Sequence, residues 1–135
     1  MEIKMEIGKI HEVNVVVDES MTAATMKSGS LDVLSTPYMI ALMEQASAEL
    51  CQQYLPEGIS TVGTMINIQH LAATSLGAPV RAVATLTDFD GRKASFEIVA
   101  YDNAGVIGKG THERFTIKVE SFLKKTQERK DIIAE

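Results

Sequence analysis

Between Tyr38 and Tyr54 the chain carries no glycine or proline, and Ile40, Met43, Ser47, Leu50, Cys51 and Tyr54 recur at three- and four-residue spacing. Side chains so spaced share one face of an α-helix, and the pattern predicts a single long helix with one buried stripe. Thr36 reads as its N-cap, because a threonine hydroxyl accepts from an otherwise unpaired first-turn N–H. Pro37 takes the first helical position, where its missing N–H costs nothing. Pro56 and Gly58 end the helix. Gln45, Ala48, Glu49 and Gln52 fall elsewhere around it.

The rest of the pattern has the period of strands. Residues 10–17 end in Val15, Val16 and Val17 and predict a first strand. Residues 18–35 are mixed, with Ser28-Gly29-Ser30 as a loop. After the helix, Thr61 to Leu71 alternates, which places Val62, Thr64, Ile66, Ile68 and His70 on one face, turned towards the helix. Ser75 to Pro79 breaks this run, and Val80 to Thr87 forms the next strand. Asp88-Phe89-Asp90-Gly91 has the Asp-Gly signature of a hairpin turn. Ala94, Phe96, Ile98 and Ala100 then alternate with polar Ser95 and Glu97. Asp102-Asn103-Ala104-Gly105 makes a second tight turn, and Val106 to Val119 reads as a long last strand.

Tight turns force antiparallel neighbours. An apolar helix and an antiparallel sheet must bury their faces on each other. The expected architecture is therefore one α+β domain over residues 1–135, with a long central helix laid on a curved antiparallel sheet. The tail from Lys124 to Glu135 is charge-rich and reads as a short helix or a frayed end.

Composition narrows the function. The chain has 135 residues, 45% of them hydrophobic, enough for a core and too many for a disordered segment. Its net charge of −5, the absence of Trp and an aromatic content of 5% argue against nucleic acid as a partner, which needs a basic footprint and stacking platforms. One cysteine, Cys51, allows no intrachain disulfide, and the three histidines do not sit at zinc-ligand spacing, so neither a metal site nor a phosphate-binding glycine loop is expected. The N-terminal Met1-Glu2-Ile3-Lys4-Met5-Glu6 alternates in charge, unlike a secretory signal, and no apolar run is long enough to span a membrane. A cytoplasmic setting is the resulting expectation.

Three residues stand out as chemistry. Glu44 falls within the helix stripe, where loss of water would raise its pKa unless it is paired or used. A flanking Lys or Arg would explain it as a structural pair. His70 faces the same interior and could serve as a general base or as a core imidazole with satisfied nitrogens. Thr36 is explained by capping alone, yet a helix N-terminus can also stabilise a developing oxyanion. Thr36 and Glu44 are eight residues apart, roughly 12 Å along a helix axis, so a site using both is elongated or draws one group from a second subunit. Cys51 reads as inert core, His11 has no partner in view, and His112 and Arg114 share one face of the last strand with Glu113 on the other.

The segments from Ser35 to Glu44 and from Thr61 to His70 resemble the hotdog-fold thioesterases of the fluoroacetyl-CoA thioesterase type. The resemblance runs from about Gly8 to about Leu123. That family carries a Thr, a Glu eight residues later and a His a further 26 residues on, the separations of Thr36, Glu44 and His70. It implies a hotdog homodimer, or a tetramer built from it, with active sites near the subunit interface. It further implies hydrolysis of short acyl-CoA thioesters without metal or redox cofactor. By the same resemblance Glu44 is the nucleophile or general base, His70 its acid/base and orienting partner, and Thr36 a polar group positioning substrate or water. Gly63 and Arg114 would line the acyl and thioester region. Fluoroacetate-specific members carry a Phe-containing lid before the helix. The corresponding Ser28 to Leu34 contains no Phe, so a broader or different acyl group is expected. The competing readings are a non-catalytic acyl-CoA binder and a hotdog enoyl-CoA hydratase.

Overall fold

The computed structural model describes residues 2–134 and has the α+β architecture that the pattern predicts, one long helix on an antiparallel sheet, as the hotdog resemblance also implies. In chain order the elements are β1 (Ile10–Val16), α1 (Ala23–Met26), α2 (Thr36–Gln52), β2 (Ile59–His70), β3 (Pro79–Phe89), β4 (Lys93–Asp102), β5 (Gly105–Lys118) and α3 (Val119–Lys130). The strands form one antiparallel sheet in the order β1-β3-β4-β5-β2. The β3–β4 and β4–β5 hairpins turn where the Asp-Gly and Asp-Asn-Ala-Gly signals fall. Gly91 and Gly105 adopt φ of +101° and +136° there, values that a side chain would strain.

The long helix α2 packs against all five strands. Met39, Leu42, Met43 and Leu50 project from it onto a floor of Ala82, Ala84, Ala94 and Ala100, all buried. Small residues on the sheet let the helix approach closely while its methionines and leucines fill the volume. Because the sheet meets α2 on both flanks, the buried face is wider than one stripe. It is centred on Met39, Leu42, Met43, Ala46, Ser47, Leu50 and Cys51, while Ile40 and Tyr54 are only partly buried. Glu44 consequently lies at the margin of the core. Its side chain is 43% exposed, so the desolvation expected from its place in the stripe is not met within one chain.

Two local features differ from the sequence reading. The N-cap of α2 is Ser35, whose hydroxyl accepts from the Tyr38 N–H at 3.1 Å, and Thr36 is the first helical residue. This leaves the Thr36 hydroxyl free for other work. In β2 the register shifts between Gly63 and Met65, with Gly63 opposite Arg114 and Met65 opposite Glu113. The extra residue, Thr64, makes a β-bulge. A one-residue insertion exchanges the faces of a strand. The inward set is therefore Thr61 and Gly63 before the bulge and Ile66, Ile68 and His70 after it, with Val62 and Thr64 excluded from it.

The stretch before α2 is tied down by the bridges Thr22–Leu34 and Val33–Ser75, with a 3₁₀ turn at Glu19–Met21 and Ser28 to Ser30 in an open loop. The charged tail continues β5 directly into the exposed helix α3, so Val119 is helical rather than the end of a strand. The last residue of that tail, Glu135, lies outside the described residues, as does Met1.

Candidate active site

The residues singled out in the sequence gather in two clusters along the groove between α2 and β2. The first joins the two ends of these elements. Thr36 opens α2, His70 closes β2, and Thr36 Oγ1 lies 2.7 Å from His70 Nδ1. Burial holds the His70 imidazole below its ordinary pKa, with the Ala72 backbone acting in the opposite direction. The shift favours the neutral ring. Among the described residues His70 Nε2 is the one buried side-chain nitrogen or oxygen with no hydrogen-bond partner. A cleft of about 320 Å³ opens beside this pair, lined by Val33, Leu34, Leu71 and Ala72 as well as Thr36 and His70. The N-terminus of α2 offers an oxyanion less than the sequence suggests, because Ser35 occupies the Tyr38 N–H and Pro37 has none.

The second cluster lies two helical turns further on. Glu44 Oε2 is 3.9 Å from Arg114 Nη1, and a Cβ built on Gly63 would stand 3.0 Å from Glu44 Oε2, 3.1 Å from His112 Cε1 and 3.3 Å from Arg114 Nη1. Glycine at this position lets the three side chains close over the strand. Arg114 is 8% exposed, and each of its three side-chain nitrogens has a hydrogen-bond partner. Its Nε donates to Thr61 Oγ1 at 2.9 Å, Nη2 to the Thr61 carbonyl at 3.1 Å, and Nη1 lies 3.2 Å from His112 Nε2. Burial lowers the pKa of the guanidinium, without making it titratable near neutrality. Cys51 lies nearby in the core, and burial pushes its thiol up to about 11, so it is neutral and inert, as expected from its place on the helix.

Glu44 and His70 thus belong to separate clusters of one chain, about 12 Å apart along α2. The family resemblance pairs them; within a single chain they stand apart, as the eight-residue spacing of Thr36 and Glu44 implies. His112 was the residue undervalued by sequence reasoning. It is 1% exposed and sits in the second cluster. Its alternation with Arg114 was the available signal. His11 also has a partner, Glu49 Oε1 at 2.8 Å, in an exposed pair that belongs to neither cluster. Among the described residues no group of three or more His, Cys, Asp or Glu side chains is placed to hold a metal ion, and no helix is long and apolar enough to cross a membrane.

One long helix cradled by a curved antiparallel sheet defines the hotdog fold. Residues 17–120 match the family model of fluoroacetyl-CoA-specific thioesterases. The chain is 38% identical over 98 residues to the fluoroacetyl-CoA thioesterase of Streptantibioticus cattleyicolor, across 73% of this chain and 70% of that protein. It superposes on a solved structure of a fluoroacetyl-CoA thioesterase with a TM-score of 0.89 and 32% identity, covering 96% of this chain and 99% of the other. A threonine-to-serine variant of such an enzyme, solved in complex with acetyl-CoA, gives a TM-score of 0.88 at 32% identity, covering 93% and 98% of the two chains. The chain belongs to the fluoroacetyl-CoA-specific thioesterase family, and it is a thioester hydrolase.

Proposed function

We propose that the enzyme hydrolyses a short acyl-CoA thioester in a site completed by a second copy of the chain. The observation that carries this reading is the separation of Glu44 from His70 within one chain, together with the unpartnered His70 Nε2. β2 is an edge strand of twelve residues with Met65 and Ile66 36% and 40% exposed. Such an edge is a template for strand pairing. Antiparallel pairing of two β2 strands about Asn67 would set His70 opposite the partner's Thr64, one residue from Gly63, and bring it to the partner's Glu44. The homodimer would then hold two shared sites.

In this reading Glu44 is the nucleophile or the base that activates water. His70, oriented by Thr36, exchanges the proton through Nε2. Gly63 and Arg114 receive the thioester end of the substrate. A thiolate leaves without strong acid assistance, since a thiol of pKa near 8.5 is a good leaving group. The reaction therefore needs a placed carboxylate, an imidazole and a screened cleft, and no cofactor. The relative solved with acetyl-CoA supports a small acyl substrate. The stretch from Ser28 to Leu34 has no Phe and the cleft beside it is lined by Val33, Leu34 and Ala72, which favours short acyl groups without a requirement for fluorine. A free, buried Cys51 suits a reducing, cytoplasmic setting.

Thiol release from acetyl-, propionyl- and fluoroacetyl-CoA tests the reading. Glu44→Ala and His70→Ala are each expected to lose roughly 100- to 10,000-fold in kcat. Mixing the two inactive variants under subunit exchange restores one intact site per mixed dimer. If the mixture stays as inactive as its components while dimers have exchanged, the site is not shared. Turnover by Glu44→Ala at the wild-type rate removes Glu44 from the mechanism.

A further inference from the structure

His112 carries no role in the reaction above, yet it is 1% exposed and both of its ring nitrogens are occupied. Nδ1 lies 2.7 Å from the Met65 carbonyl oxygen. A carbonyl can only accept, so Nδ1 carries the proton. Nε2 lies 3.2 Å from Arg114 Nη1, and a guanidinium can only donate. Nε2 must therefore present its lone pair, and His112 is neutral in one tautomer. The Phe96 ring packs beside it with centroids 6.1 Å apart. Met65 is the first residue after the bulge, so its inward carbonyl follows from the register shift at Thr64.

We propose that His112 is a positioning residue for Arg114: the bulge carbonyl fixes its tautomer, and its Nε2 lone pair, with Thr61, holds the guanidinium so that Nη1 faces Glu44 across Gly63. The consequence for catalysis rests on the proposed function, whereas the tautomer and the hydrogen bond do not. Without His112, Nη1 loses its only acceptor besides Glu44 among the described contacts, and Arg114 is held by Thr61 and the 3.9 Å approach to Glu44. The carboxylate of Glu44 then loses a fixed counter-charge. A hydrogen bond to a charged group is worth about 10- to 100-fold in an equilibrium or rate.

Two measurements test this. In the first, kcat/KM for acetyl-CoA is compared among wild type, His112→Phe, His112→Gln, Arg114→Ala and the His112→Phe/Arg114→Ala double variant. Loss on the order of 10- to 100-fold is expected in His112→Phe. Substantial recovery is expected in His112→Gln, whose amide restores an acceptor. The double variant should be no worse than Arg114→Ala alone, because the two residues act as a unit. Multiplicative losses, or no rescue by glutamine in a folded protein, overturn the proposal. In the second, long-range ¹H–¹⁵N spectra of the wild type at pH 7.5 read the His112 ring directly, assigned by its disappearance in His112→Gln. A neutral ring protonated at Nδ1 is expected; an imidazolium or an Nε2–H tautomer overturns the proposal. Should no thioester be hydrolysed, the spectra still decide the tautomer, so failure of the function and failure of this inference are distinguishable.

Discussion

The two ends of the α2–β2 groove are built on opposite principles. At the Thr36–His70 end one hydrogen bond holds an imidazole whose other nitrogen is left empty beside a cleft. At the Glu44–Arg114 end every hydrogen-bonding nitrogen of Arg114 and both nitrogens of His112 are engaged, and only the carboxylate of Glu44 reaches towards solvent. A buried polar group without a partner costs free energy. The empty nitrogen at one end and the half-exposed carboxylate at the other are therefore the places where each cluster expects something further. The remaining polar atoms are scaffolding. The contrast separates groups that meet substrate from groups that hold those groups still.

The largest effect that would break this contrast is expected at the crowded end. Gly63→Ala sets a methyl 3.0–3.3 Å from Glu44, His112 and Arg114 at once. Glu44 can swing outward, but His112 and Arg114 are fixed. We expect kcat/KM to fall roughly 100-fold, the scale of an ångström of misplacement in a reacting group, and Tm to fall with it, because the methyl crowds two side chains that cannot give. An unaltered rate would mean that these three side chains do not act together.

A smaller effect is expected at the open end. Thr36→Val removes the hydroxyl, keeps the shape and leaves His70 Nδ1 without its partner. Loss of one neutral hydrogen bond predicts a fall of about 10-fold in kcat/KM, with Thr36→Ser close to wild type. Because Ser35 rather than Thr36 caps the helix, thermal stability should hardly change. A large drop in Tm instead would return Thr36 to a purely structural role.

The smallest effect concerns both ends together. Burial lowers the pKa of His70 and His112 from the ordinary 6.5. On unfolding each regains that value and binds a proton more readily than in the native state. Stability must therefore fall as pH falls through 6.5 and be independent of these groups at higher pH. Thermal unfolding between pH 5 and 8 should show a modest acid-side decline, shallower in His112→Gln. A stability that rises on acidification over that range contradicts the burial of both rings.

Much of this was legible from residue patterns. The glycine- and proline-free run after Pro37 announced α2, and the two Gly-ended turns announced the β3–β4–β5 meander. The contact of Thr36 with His70, 34 residues away, was not in the pattern, which set His70 beside Glu44 instead. What escaped the pattern shares a cause. The bulge at Thr64 has one local signal, the isolated Gly63 within a strand pattern, and the alternation read straight across it hides the shift. With the bulge unseen, the inward face of β2 was misassigned at Val62 and Thr64. Likewise, Ser35 and Thr36 are both competent caps, and only the tertiary bond to His70 distinguishes them. Whether Arg114 and His112 face water or core depends on the helix opposite, which no strand pattern contains.

The bulge has one more consequence. It acts as a frame shift within a single strand: residues before it are read by the helix in one phase, residues after it in the other. Gly63 and His70, which differ by an odd number of positions, are thereby presented to the same groove. Deleting Thr64 would restore uniform phase and turn Ile66, Ile68 and His70 to the outer face in one step. An exposed threonine with no chemistry of its own is thus the residue this strand can least omit, although it could be replaced by many others.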